Sequence, residues 1–176
     1  MAKTLYAASM SLDGFIAGPG GDMSWLTDYA GTPNPTAEHL LANVGCLLVG
    51  GRTFRGDDPN KGTDAEGAFG GQYHGPVVVL TRRPPDEPVP DTTFTGDLRE
   101  AVATAKELAG DKYVNVLGAE AARSCLEAGL LDEILMLVAP VLLGDGVRVF
   151  DHPGGTKVRL EQLPDAGALW YRVVRS

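Results

Sequence analysis

The stretch Tyr113 to Phe150, YVNVLGAEAARSCLEAGLLDEILMLVAPVLLGDGVRVF, constrains the fold more than any other part of the chain. Tyr113 to Leu117 is a short β-rich run. Gly118 then turns the chain into a helix whose apolar stripe is Ala122, Cys125 and Leu126, at helical spacing. Gly129 is placed to end that helix as a C′ glycine. Ile134 to Leu143 runs almost without a polar residue, as a strand covered on both faces of an α/β sheet does, and Pro140 interrupts it. The run is far short of the roughly 20 residues a membrane helix needs. A strand that ends in Gly118 and hands over to a helix start offers free backbone N–H groups to an anion, which points to a nucleotide.

The rest of the chain repeats this alternation. Lys3 to Ser9 reads as a first strand, and Asp13-Gly14 as a tight turn before a second extended piece. Gly18 to Asp22 is too rich in glycine and proline for regular structure, and Met23 to Leu26 opens a short helix. Thr36 to Val44 reads as a helix with Thr36 as N-cap, and Cys46 to Val49 as a buried strand. Gly50-Gly51-Arg52-Thr53 follows at once: small residues let a backbone approach a phosphate while Arg52 and Thr53 add donors, or the glycines simply make a turn.

Asn60 to Gly75 is Gly-rich and unpatterned, a cover over a site or an unstructured loop. Pro76 to Leu80 is an apolar strand ending in Thr81-Arg82-Arg83, where arginines either read a 2′-phosphate or are solvated loop charges. Thr92 to Gly96 is a short strand. Asp97 and Glu100 form a capping-box-like start to a helix whose inner face is Leu98, Ala101, Val102, Ala105 and Leu108, and Gly110 ends it. Thr156 to Leu163 and Ala168 to Arg175 read as a terminal hairpin, with Pro164 to Gly167 as its turn and bulky residues on both faces.

Leu131-Asp132-Glu133, the apolar strand, Pro140, Gly144, Gly146 and Phe150, together with Ser11-Leu12-Asp13-Gly14-Phe15-Ile16-Ala17, carry a resemblance. They are similar to the C-terminal reductase domain of bacterial riboflavin-biosynthesis proteins (RibD C-terminal type), a branch of the dihydrofolate-reductase-like superfamily. The resemblance covers nearly the whole chain. It implies one α/β domain over residues 1–176, three-layered, with a mixed, largely parallel sheet and a C-terminal antiparallel hairpin. It also implies a homodimer and NADPH as cofactor.

On the cofactor side the resemblance places Gly50, Gly51, Arg52, Thr53, Thr81, Arg82, Arg83, Leu117, Gly118, Ala119, Glu120 and Gly144. On the substrate side it places Trp25, Asp28, Phe54 and Asp58, the last within Asp57-Asp58-Pro59. It gives Asp13 a catalytic role, binding the substrate or relaying a proton, where a reading of the residues alone leaves an Asx turn equally open. Trp25 is likewise either a core residue or a stacking wall. The implied activity is an NADPH-dependent reduction of a planar heterocycle or imine, similar to that of 5-amino-6-(5-phosphoribosylamino)uracil reductase. The alternatives are a dihydrofolate or pterin reductase and a dimeric NADP-binding module without turnover.

Two departures stand out. After Pro59 the chain reads Asn60-Lys61-Gly62-Thr63 where riboflavin-pathway members carry Leu-Thr-x-Arg, and the Pro-Trp-x-Leu-Pro segment of true dihydrofolate reductases is missing. A net charge of -8 argues against nucleic acid and anionic membranes as partners. Cys46 and Cys125 sit in apolar runs, as buried thiols do, and the histidines show no metal-ligand spacing. The N-terminus lacks the pattern of a signal peptide, so the expected location is the cytoplasm.

Overall fold

The computed structural model describes residues 1–29, 31–56, 58, 60–164 and 169–175. Its strands are β1 (Thr4–Ser11), β2 (Phe15–Ala17), β3 (Val44–Gly50), β4 (Val77–Leu80), β5 (Thr92–Thr95), β6 (Tyr113–Leu117), β7 (Glu133–Ala139), β8 (Val147–Arg148), β9 (Arg159–Gln162) and β10 (Leu169–Val174). Its helices are α1 (Pro35–Asn43), α2 (Gly51–Arg55), α3 (Leu98–Ala109) and α4 (Ala119–Glu127). Eight strands form one sheet in the order β5-β4-β3-β6-β1-β7-β10-β9. The pairings from β5 through β7 are parallel, and β10 runs antiparallel to both β7 and β9. This is the mixed, largely parallel α/β sheet with a terminal hairpin that the sequence led us to expect. Strands β2 and β8 pair apart from it as a small antiparallel ribbon.

Alternation along the strands divides the core between the two sheet faces. Tyr6, Cys46, Leu48, Val78, Val114 and Val116 meet the alanine-rich inner faces of α3 and α4, including Ala101, Ala105, Ala121 and Ala122. Small side chains on the helices let them lie close to the sheet. On the other face Leu5, Ala7, Leu47, Val49, Val79, Leu135 and Trp170 pack with Leu40 of α1.

The structure moves several expected boundaries. Helix α1 starts one residue before Thr36, because Pro35 carries a φ suited to the first helical position and the Asn34 side chain accepts the Ala37 N–H at 3.1 Å. Helix α3 is capped by Asp97, which accepts from the Glu100 N–H at 2.8 Å. The return half of the box is replaced by a relay: the Glu100 carboxylate accepts from the Thr95 hydroxyl, whose oxygen accepts the Asp97 N–H. Leu108 is 46% exposed and Ala109 takes the inner position instead, as a 3.6-residue period requires after Ala105. Gly18 to Asp22 holds one 3-10 turn, Pro19–Gly21.

Strand β7 ends at Ala139, before Pro140, and is not covered throughout: Val138 is 40% exposed, and Leu142, beyond the strand, 68%. The Asn60 to Gly75 loop is pinned, with Phe69 and Tyr73 against the α1-side core and the Tyr73 hydroxyl bonded to the Pro76 carbonyl. The hairpin is shorter than expected, and β9 is exposed along its length. Of its expected turn, residues 165–167 lie outside the described residues, as do Asp57 and Pro59.

Candidate functional site

The C-terminal ends of β3, β4 and β6 open together into a cleft of about 380 Å³. Gly50, Gly51, Arg52 and Thr53 reach it from β3, Thr81 and Arg82 from β4, and Gly118 and Glu120 from β6 and α4. Two close approaches lock these loops together. A Cβ on Gly51 would lie 2.9 Å from the Thr81 hydroxyl, and one on Gly118 would collide with the Thr53 hydroxyl. Gly118 also has φ +100°, a conformation side chains avoid.

The donors of this cleft are arranged for anions. Helix α4 begins at Gly118 with no side-chain cap, so its first-turn N–H groups are left to solvent or to a ligand. Thr81 accepts from Arg55 Nη1 at 3.3 Å and from the Arg83 N–H at 3.1 Å. Arg82 crosses Gly96, where a Cβ would come within 3.2 Å of its Cγ. Leu80, Leu98 and Ala121 supply an apolar wall. Phosphate-binding donors beside an apolar wall are the chemistry an adenine dinucleotide asks for, so these residues fit such a cofactor.

The other expected positions scatter. Leu117 is the last residue of β6 and packs toward the α1-side core. Ala119 lines a second cleft beside the first, while Arg83 and Gly144 line neither. Phe54, half-buried, packs edge-on against Phe94 at 5.3 Å, on the edge of the α1-side core. Asp58 holds the following loop, accepting the Asn60 N–H at 2.8 Å and the Gly67 N–H at 2.6 Å. Asp28 is exposed, and Trp25 packs edge-on against Tyr29 at 6.3 Å with its indole N–H unpartnered. The structure does not gather Trp25, Asp28, Phe54 and Asp58 at either cleft.

Asp13 joins two turns. Its carboxylate accepts from the Ser11 hydroxyl at 2.6 Å, the Gly144 N–H at 2.7 Å and the Leu143 N–H at 3.1 Å. The Ser11 hydroxyl, the largest influence, and the Gly144 and Leu143 amides together outweigh the opposing push of desolvation and hold its pKa down at about 2. A carboxylate so held carries no proton to give at neutral pH. What Asp13 does in this structure is fix the approach of the β2–β8 ribbon.

Beyond the expected residues, the first cleft is also lined by Arg55, Leu80, Gly96, Leu98, Ala121 and Ser124. Ala121 and Ser124 were open to discovery, lying one and two turns along α4 from Gly118. The second cleft, about 420 Å³, shares Arg52 and Glu120 with the first and adds Arg123, Arg148 and Asp151. Among the described residues, no helix is long and apolar enough to cross a membrane.

The comparisons with known proteins agree with this architecture. A Bacillus subtilis protein, the uncharacterized YwjB, is 26% identical over 161 residues, covering 90% of this chain and 89% of that protein. A solved structure from Shewanella sp. PV-4, assigned to riboflavin biosynthesis, superposes with a TM-score of 0.71 at 22% identity, over 99% of this chain and 100% of that one. The Saccharomyces cerevisiae riboflavin biosynthesis reductase Rib7 superposes with a TM-score of 0.59 at 17% identity, over 98% of this chain and 90% of its own. The bifunctional deaminase and 5-amino-6-(5-phosphoribosylamino)uracil reductase of Thermotoga maritima gives 0.60 at 18% identity, this chain spanning 56% of its length. With the RibD C-terminal domain matching residues 2–165, the chain belongs to the RibD C-terminal domain family.

Proposed function

We propose that this protein is an NADPH-dependent reductase of a planar heterocycle or imine, related in reaction to the riboflavin-pathway reductases whose fold it shares. The observation that carries the reading is the first cleft, where loops from three parallel strands bring Thr53, Thr81, Arg82 and the uncapped start of α4 around an apolar wall. When bound, the dinucleotide supplies the hydride. The chain's own part is positioning. The α4 N–H groups and Thr53 hold the pyrophosphate, and Arg82 pairs with the 2′-phosphate. The β2–β8 ribbon, fixed by Asp13, borders the reacting end. The reading places the protein in the cytoplasm, where Cys46 and Cys125 stay as thiols.

A thermal melt with NADPH and NADH, repeated for Arg82→Ala, tests it. Ligand at about a hundredfold over its dissociation constant stabilises by roughly 2.7 kcal/mol, or about 5 to 10 °C here. The expected result is a larger shift with NADPH than with NADH, and its collapse in the variant. No shift with either ligand overturns the reading.

The saturated, ionised Asp13 favours a second reading, a module that binds NADP without turning it over. NADPH oxidation with any member of a pyrimidine and pterin panel would dispose of that alternative.

We also propose a homodimer. Helices α3 and α4 pack over β3, β4 and β6, while Val138, Leu169 and Leu160 share that sheet face on β7, β10 and β9 and are 40%, 39% and 44% exposed. An apolar sheet face of this kind fits a second copy of itself. Light scattering should give the dimer mass, and Leu160→Lys with Leu169→Lys should give the monomer. A monomeric wild-type chain would remove the proposal.

A further inference from the structure

Three strands end abreast at the floor of the first cleft. Register pairs Gly50 of β3 with Leu80 of β4, and Leu80 with Thr95 of β5, so the next residues, Gly51, Thr81 and Gly96, stand in a row with the threonine in the middle. An arginine lies over each flanking glycine. A Cβ on Gly51 would come within 3.3 Å of Arg55 Nη1, and one on Gly96 within 3.2 Å of Arg82 Cγ. Neither glycine sits in the left-handed region, so what each contributes is space.

Arg55 stands four residues after Gly51 in α2, one turn on, which brings its side chain back over the glycine. Its Nη1 donates to the Thr81 hydroxyl at 3.3 Å, and the Arg83 N–H donates to the same oxygen at 3.1 Å. A hydroxyl has two lone pairs and one proton. With both lone pairs engaged, the Thr81 proton is left for a further acceptor, and the cleft that Thr81 lines is where one can come. The bond to Thr81 uses one of the five N–H groups of Arg55.

The charges follow the same row. Among the described residues lining this cleft, Arg52, Arg55 and Arg82 face one carboxylate, Glu120, which stands 3.4 Å from Arg52. The ion pairs among the described residues include neither Arg55 nor Arg82. A positive charge is therefore left on each side of Thr81.

We propose that Arg55 is a specificity-determining residue: with Arg82 on the other side of Thr81 it forms a two-arginine clamp on the 2′-phosphate of the dinucleotide, and Gly51 is the space that admits it. The proposal rests on reading the first cleft as the cofactor site and deepens it, since Arg82 then shares the choice between the phosphorylated and unphosphorylated dinucleotide. A phosphate accepts guanidinium forks from two sides, and the Thr81 hydroxyl adds a donor between them. The ribose hydroxyl of the unphosphorylated cofactor offers no charge to either fork.

Calorimetric titration of the full chain with NADPH, NADH and adenosine 2′,5′-bisphosphate tests this. Wild type should bind the bisphosphate, and should bind NADPH about tenfold or more tighter than NADH. Arg55→Gln should weaken NADPH and the bisphosphate roughly tenfold, the scale of a hydrogen bond to a charged group, and change NADH by less than about twofold. Arg55→Lys, which keeps the charge and loses the fork, should fall between. Gly51→Ala, which keeps both arginines and crowds Arg55 away from Thr81, should also lose affinity for NADPH and not for NADH. Melting curves verify that each variant is folded. Equal losses of NADPH and NADH in Arg55→Gln, or no loss of either, overturn the proposal. Equal affinity of wild type for the two dinucleotides also overturns it, while leaving the cleft as a dinucleotide site. Binding of neither removes the cofactor reading itself, and the clamp with it.

Discussion

The indole N–H of Trp170 donates to the Glu133 carboxylate at 2.9 Å inside the protein, where Glu133 is 1% and Trp170 8% exposed. The same carboxylate accepts from the Lys3 ammonium at 2.7 Å and the Tyr113 hydroxyl at 3.2 Å. One side chain thereby ties β10, β6 and the start of β1 to β7. Its neighbour Asp132 accepts the Thr4 N–H at 2.9 Å and Lys106 at 3.2 Å, and pairs with Arg175. Although burial works against it, these bonds from Thr4 and Lys106 bring the Asp132 pKa below the ordinary value. The Asp-Glu pair that marks the family resemblance is therefore a fastening of the sheet, remote from both clefts.

Glu133→Ala should accordingly be a stability variant. It leaves an indole N–H and a phenol without their acceptor and a lysine without its partner, at a cost of about 3 kcal/mol or more. At roughly 2 to 4 °C per kcal/mol for a chain of this size, the melting temperature should fall by about 10 °C. The additional shift given by NADPH should survive unchanged. A fall of only about 2 °C, below what a single lost buried partner predicts, would refute the role given to Glu133.

Gly118→Ala should weaken both the fold and the cofactor site. The residue would have to hold φ +100° and push aside the Thr53 hydroxyl. The backbone conformation alone costs about 1 to 3 kcal/mol. Adding Thr53→Ala should relieve the collision and return part of the melting temperature, while the NADPH shift stays small because Thr53 itself faces the cleft. Full cofactor binding by the single variant would show that the loops after β3 and β6 are not locked as described.

What the sequence allowed one to read, and what it hid, follow from the kind of force involved. The cleft loops after β3, β4 and β6 were legible because a buried strand, then glycine, then a donor is a local pattern, as at Gly50-Gly51-Arg52. The inner faces of α3 and α4 were legible through their period. Asp58 was assigned to the substrate because a pattern shows that a carboxylate is present and not where it points, and here it caps its own loop. Arg123 and Arg148 were missed because only the pairing of Phe15 with Arg148 in a two-stranded ribbon brings them to one cleft. Long-range register of that sort leaves no local trace.

Neither thiol should react in the folded protein. Burial raises the pKa of Cys46 and of Cys125 to about 12, so almost no thiolate is present at pH 8, and both side chains are closed off from solvent. A chromogenic disulfide reagent should label neither at pH 8 in buffer and both in guanidinium chloride. Fast labelling of the native chain would contradict the packing of β3 or α4.

The last prediction concerns Asp13 and its sign with pH. Its folded pKa is lowered from 3.8 to about 2, by the Ser11 hydroxyl first and then the Gly144 and Leu143 amides. A depressed carboxyl adds stability that is complete above its unfolded value and is lost as pH falls through the folded one. The turn contact should therefore hold unchanged above about pH 5, more than a unit over the ordinary carboxyl value, and weaken from about pH 4 towards 2. Asp13→Asn offers one acceptor oxygen where the two amides and the hydroxyl need two, so it should melt lower than wild type at pH 7. The gap should narrow at pH 3 and below, as wild type takes up the proton and loses the same bonds. Any ionisation near neutrality in a rate profile should belong to another group and persist in Asp13→Asn. A gap that stays constant down to pH 2 would mean that the carboxylate contributes through shape alone.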